Sequence, residues 1–221
     1  MTLEDIQGLE AHFRGTLGIP VSLAAVRGGA APRGPWPGLG AETARFGDPA
    51  RAASWLRGRA ALERVLDRLA AQGRADVPDP ATVRFPHPFL SLTHTGDQAV
   101  AAGTVPGAAL GIGVDLELRT GMREGAERFF LGPEETRRLL ARPAASRGRE
   151  RVRLWTIKEA LYKANPGNEG TLLGHYLLDE PGAAAGTARG KDDPAGRYLY
   201  ASVALDPGTL SVAIRVRGAA A

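Results

Sequence analysis

Apolar and polar positions follow two different periods along this chain, and the switches between them mark its elements. Short apolar runs bounded by turn residues predict strands over 21–26, 89–93, 98–105 and 110–117. Between the first two of these runs, Trp55, Leu62, Val65, Leu66 and Leu69 recur at helical spacing. Asp48-Pro49 supplies that helix with an N-cap and a first-turn proline, and Gly73 is placed to end it. Gly58 lies inside the helix, where glycine costs about 1 kcal/mol relative to alanine, and so points to close packing or ligand approach. Residues 1–15 read as a short helix, 28–40 as a Gly- and Pro-rich loop, and 78–88 as a linker. His94-Thr95-Gly96-Asp97 turns one strand into the next, and Pro106-Gly107 turns again into 110–117. The expected unit is a helix followed by a three-stranded meander.

The second half repeats this plan. Gly132-Pro133-Glu134 opens a helix, and a second helix is expected over 149–164. A strand is expected over 172–178, and a Gly/Ala-rich loop over 181–196. Alternating strands over 198–205 and 209–216 are joined by Pro207-Gly208 as a hairpin. The predicted fold class is α+β, with two similar lobes, each a helix on a small antiparallel sheet. The lobes are expected at 1–118 and 119–221, joined near 119–125.

Composition narrows the class. Hydrophobic residues make up 43% of the 221, enough for a core, so global disorder is excluded. The absence of cysteine removes disulfides, thiolate catalysis and cysteine-bound zinc, and fits a cytoplasmic protein. The start Met1-Thr2-Leu3-Glu4-Asp5 is acidic and lacks a following apolar core, unlike a secretory signal. The most apolar stretch, 99–114, is interrupted by Gly103, Pro106, Gly107, Gly111 and Gly113, so no membrane span is expected. Net charge is a modest +4. Arginines 137, 138, 142, 147, 149, 151 and 153 cluster, with Glu150 as the offset. Such a cluster is either a patch for an acidic, phosphorylated or nucleic-acid partner, or a solvated helix face.

Two stretches carry candidate chemistry. In Gly113-Val114-Asp115-Leu116-Glu117 the strand period points Asp115 and Glu117 the same way, roughly 7 Å apart. On an apolar background such a pair either sits at a solvated sheet end or is relieved by a cation, and an oxygen-only set suits Mg²⁺. The helix Trp155 to Lys163 offers a third carboxylate, Glu159, with Lys163 one turn on and Lys158 about 100° around the axis. Three carboxylates, a hard cation and flanking lysines suit phosphoryl or phosphodiester transfer.

These residues carry a resemblance. Gly113-Val114-Asp115-Leu116-Glu117, Arg128-Phe129-Phe130 with Glu134, and Trp155-x-x-Lys158-Glu159-Ala160-x-x-Lys163 resemble the signature of the 4′-phosphopantetheinyl transferases. Thr93-His94-Thr95-Gly96 is similar to that family's Ser-His-Ser-Gly turn, and Arg51, Trp55 and Gly58-Arg59 resemble its Arg-rich helix. The length and two lobes are similar to the monomeric surfactin-type branch. The resemblance implies transfer of phosphopantetheine from coenzyme A to a serine of an acyl- or peptidyl-carrier protein, with release of 3′,5′-ADP. Asp115, Glu117 and Glu159 would then hold Mg²⁺. Glu159, Lys163 and Asp115 would be catalytic, with Glu159 the base directly or through water. Lys158, Lys163, His94, Thr93, Arg51 and Arg59 would bind coenzyme A. Trp155 and Tyr162 are expected in the core, Arg128 and Glu134 in packing and capping roles. The turn Asn165-Pro166-Gly167-Asn168 would stop the helix just after Lys163. Two other functions compete: a non-catalytic module of the same fold that binds coenzyme A or a carrier protein, and a basic nucleic-acid binder. Buried like charges argue against the first, and no recognisable nucleic-acid motif supports the second.

Overall fold

A computed structural model of the protein describes residues 2–73, 78–191 and 193–217. Helix α1 (Leu3–Leu17) leads into strand β1 (Val21–Arg27), followed by a short helix α2 (Gly38–Thr43) and the long helix α3 (Pro49–Ala71). The Asp48 carboxylate accepts from the Ala50 amide at 2.8 Å, and Pro49 opens α3 as its sequence predicts. Strands β2 (Leu90–Thr95), β3 (Gln98–Thr104) and β4 (Gly111–Glu117) come next. Helices α4 (Pro133–Leu140) and α5 (Ala144–Lys163) precede β5 (Tyr176–Leu178), β6 (Ala185–Gly190), β7 (Asp193–Leu205) and β8 (Gly208–Arg217).

The strands form two antiparallel sheets, ordered β1-β3-β2 and β4-β8-β7-β6-β5. The fold is therefore α+β. Strand alternation sorts side chains into three cores. Leu62, Val65, Leu66 and Leu69 of α3 pack on one face of the first sheet. Phe130, Ile157, Leu161 and the tyrosines of β5 and β7 pack between α5 and the second sheet. A central cluster draws on both sheets and α1, from Phe13 and Leu23 to Ile112, Val114 and Val212. Gly58 does mark close packing, since a Cβ there would lie 2.9 Å from Leu92 of β2.

The expected meander is corrected. Strand β4 does not continue the β2–β3 hairpin; it pairs along its whole length with β8, from Gly111↔Arg215 to Glu117↔Thr209. Strand β1 completes the first sheet on the far side of β3. The loop after Thr104 thus carries the chain from one sheet to the other. Helix α5 begins earlier than expected, directly after Pro143. The stretch 181–196 is not simply loop, because it contains β6 and the start of β7; residue 192 lies outside the described residues. Its small residues have a purpose: a Cβ on Gly186 would lie 2.9 Å from the Tyr200 hydroxyl. Pairing with β7 overrides the low strand preference of glycine and alanine. Within 172–178 the strand is confined to β5. The loop 28–40 is pinned by Glu63 of α3, whose carboxylate accepts from the amides of Arg33 and Gly34, both at 2.8 Å, and from the Trp36 indole at 2.6 Å.

Candidate active site

The site is made by two glycines. Ile112, Val114 and Leu116 face the central core, so Gly111, Gly113, Asp115 and Glu117 face α5. A Cβ at Gly111 would lie 1.9 Å from the Ala164 carbonyl oxygen, and one at Gly113 1.9 Å from that of Ala160. With no side chains between them, the last turn of α5 rests directly on β4. This seating brings Lys163 to Asp115: its ammonium donates to the Asp115 carboxylate at 2.7 Å and to the Val114 carbonyl at 3.2 Å. The opposite edge of β4 is held by hydroxyls of β2. Ser91 accepts from the Val114 amide at 3.0 Å; Thr93 accepts from the Leu116 amide at 3.4 Å and donates to Asp115 at 3.2 Å. Thr93 thus fixes a carboxylate rather than lying free for a ligand.

Glu117, at the strand end, is gripped by Arg119 at 2.7 and 2.8 Å. Glu159 is half-buried, and burial pushes its carboxyl above the usual range. Lys163 opposes that shift, while the negative charges of Asp115 and Glu117 reinforce it, so all three carboxylates share one electrostatic neighbourhood. Their chemistry fits a hard divalent cation: oxygen donors only, with three negative charges set against Lys163 and Arg119. As they stand, no three His, Asp or Glu side chains among the described residues are gathered closely enough to hold an ion. A cleft of about 620 Å³ opens above this group, lined by Asp115, Glu117, Lys163, Tyr162 and the exposed His94 on the β2 turn.

Other expected residues lie elsewhere. Lys158 is a correction: it is 0% exposed, and its ammonium donates to both Glu135 oxygens, at 2.6 and 2.8 Å, and to the Tyr176 carbonyl. Burial lowers its pKa while Glu135 works against that shift; Lys158 is a core cation on the far face of α5. Arg59 is also corrected. It is buried, donates to the Pro80 and Val83 carbonyls, and lies 4.9 Å from the Trp55 ring centre, so it ties down the loop before β2. Burial, with Arg84 adding to it, lowers the Arg59 pKa. Arg51 is exposed beside Arg45 and Arg84, in a separate depression. Arg128 stacks on exposed Phe129 at 4.6 Å, and Glu134 pairs with Arg138 at 2.9 Å, so both make surface contacts rather than core packing. The helix cap comes instead from Glu135, which accepts from the Gly132 amide at 2.8 Å. Trp155 packs edge-on against Phe130. Much of the arginine cluster is tied into the fold, although its charge is not cancelled: Arg142 and Arg153 share Glu150, Arg137 and Arg138 share Glu134, Arg147 binds backbone carbonyls, and buried Arg151 pairs with Glu127 at 2.7 Å. Burial alone would raise the Glu127 carboxyl; the bond from Arg151 holds it below the ordinary range.

Arg57 escaped sequence reasoning, and Asn165 and Asn168 were read only as part of a helix stop. Arg57 donates to the Gly28 carbonyl at 2.5 Å and to that of Gly96 at 3.5 Å, steadying the turn that presents His94. Asn165 and Asn168 close the end of α5. Asn168 donates to the Tyr162 carbonyl at 3.0 Å, and Asn165 to the Tyr176 hydroxyl at 3.0 Å. Asn-Pro-Gly-Asn was legible as a stop, but its partners lie too far along the chain to be read.

The fold and site define an α+β protein whose cleft sets two strand carboxylates beside a helix-borne lysine, with Glu159 of the same helix within their electrostatic reach. Residues 111–184 match the family model described as the 4′-phosphopantetheinyl transferase superfamily. The matched stretch contains Asp115, Glu117, Glu159 and Lys163 and begins at the first of the two seating glycines. Among curated proteins none matches the chain significantly. No helix among the described residues is long and apolar enough to cross a membrane.

Proposed function

We propose that this protein transfers 4′-phosphopantetheine from coenzyme A to a serine hydroxyl of an acyl- or peptidyl-carrier protein, releasing 3′,5′-ADP, as a Mg²⁺-dependent monomer. The observation that supports this reading is the seating of α5 on β4, which brings Lys163 onto Asp115 and leaves Glu159 within electrostatic reach of Asp115 and Glu117, inside the stretch that matches the superfamily. In the reaction the serine oxygen bonds to the β-phosphorus of coenzyme A, and the bond from that phosphorus to the bridging oxygen breaks. The bonding electrons leave with 3′,5′-ADP. Glu159 takes the serine proton, directly or through a water, and its raised affinity for protons suits that task. Lys163 meets the charge that develops on the departing phosphate, an interaction stronger in the transition state than before it. Thr93 and Lys163 orient Asp115. His94, on the lip of the cleft, contacts the phosphate at the nucleotide end. Asp115, Glu117 and Glu159 would hold Mg²⁺, which when bound supplies charge neutralisation at the diphosphate. Pairing of the arginine cluster with its own glutamates and carbonyls weighs against a nucleic-acid binder. The test is mass spectrometry of several apo carrier proteins after incubation with the protein, coenzyme A and Mg²⁺. A gain of one phosphopantetheine is expected, and no gain on any carrier would overturn the reading.

A further inference from the structure

Arg119 has no role in the reaction as written, yet it holds one of the three carboxylates. Its Nε donates to one Glu117 oxygen at 2.8 Å and its Nη2 to the other at 2.7 Å. This parallel fork is the geometry in which a guanidinium binds a carboxylate most specifically. A Glu117 engaged on both oxygens is neutralised, and must loosen that grip to serve a divalent cation. The two members differ in exposure: the Glu117 side chain is 16% exposed, Arg119 48%. Arg119 is therefore the partner free to swing away, and a pair open to water on that side is weak. Asp115 is arranged differently, buried and held from two sides by Lys163 and Thr93. Both members of the Arg119 pair line the cleft.

We propose that Arg119 is a resident counter-cation, a positioning residue that competes with the divalent cation for Glu117 and, once displaced, turns its fork to the diphosphate of the substrate. The proposal rests on the phosphopantetheinyl transfer reading. The fork that fits a carboxylate also fits a phosphate, so the exchange replaces one anionic partner by another. Metal and nucleotide then bind with positive coupling, each removing a cost for the other.

The test is titration of the full chain with Mn²⁺, followed by electron paramagnetic resonance, with and without coenzyme A. Arg119→Gln is expected to bind Mn²⁺ alone about two- to fivefold more tightly than the parent, the range of a part-exposed ion pair. It is also expected to lose most of the tightening that coenzyme A gives the parent. Arg119→Lys, which keeps the charge and loses the fork, should fall between. Glu117→Gln should lose Mn²⁺ affinity under both conditions. If the parent binds Mn²⁺ and Arg119→Gln binds it equally or more weakly, the proposal is overturned, while carrier loading by the parent leaves the transfer reading intact. A parent that neither binds Mn²⁺ nor loads a carrier overturns both.

Discussion

Helix α5 carries two lysines whose surroundings differ in nearly every respect. Lys158 is sealed against Glu135, and its three N–H groups are all used, by the two carboxylate oxygens and the Tyr176 carbonyl. Lys163, about 140° further round the helix, faces the cleft and spends two of its donors, on Asp115 and the Val114 carbonyl. One lysine anchors the helix; the other is delivered by it. Residue type and sequence neighbourhood do not separate them. Completeness of the hydrogen-bond shell and access to the cleft do.

Removing each lysine should break this contrast in a different observable. Lys158→Met leaves Glu135 charged and buried, so it should lower unfolding free energy by about 3–5 kcal/mol in a denaturant titration. If stability holds and transfer by the folded protein collapses, Lys158 belongs with the chemistry after all. Lys163→Ala should lower single-turnover transfer on the order of 10²–10³ with a much smaller change in coenzyme A affinity by calorimetry. Parent-like transfer would strip the cleft lysine of its role.

Smaller effects sharpen the comparison at Asp115. Thr93→Val removes a donor from that carboxylate and the acceptor of the Leu116 amide; it should cost about 1–3 kcal/mol of stability, with Thr93→Ser recovering most of it. Glu159 gives a pH signature. Its folded-state carboxyl lies above its unfolded value, so its effect is greatest where the two states differ in bound protons. The contribution of Glu159 to stability in chelator is fully present below the ordinary glutamate range and is lost as pH rises through the folded value, opposite in sign to that of carboxylates such as Glu127. Glu159→Gln should flatten that decline in thermal melts across the acid range; an unchanged slope would mean that Glu159 ionises freely.

What the sequence disclosed follows from the range of the forces involved. The α3 cap at Asp48-Pro49, the β7–β8 turn and the facing of Asp115 with Glu117 are local consequences of backbone geometry, and they were readable. The partner of β4 was not, because a strand's period gives its faces but not its neighbour. Lys158 looked like Lys163 because the glutamate that claims it lies on α4, at a distance no helical spacing encodes. Arg59 likewise reads as a basic surface residue until the loop carbonyls it binds are known. Gly111 was visible only as an interruption and Gly113 as that and as the start of a motif; their packing role appears once a helix lies against them.

The β4–β8 pairing also governs the order in which this molecule can be assembled. Strand β4 opens the stretch that matches the superfamily, yet its ladder partner is the last of the described strands. As the chain leaves the ribosome, the strand that bears Asp115 and Glu117 must wait, that edge unpaired, until α4, α5 and the strands from β5 to β8 have been made. Contacts so distant in sequence slow folding and expose a strand edge to other chains in the meantime. A fragment cut to the matched residues would carry both halves of the cleft's charge and still lack the strand that lets β4 exist.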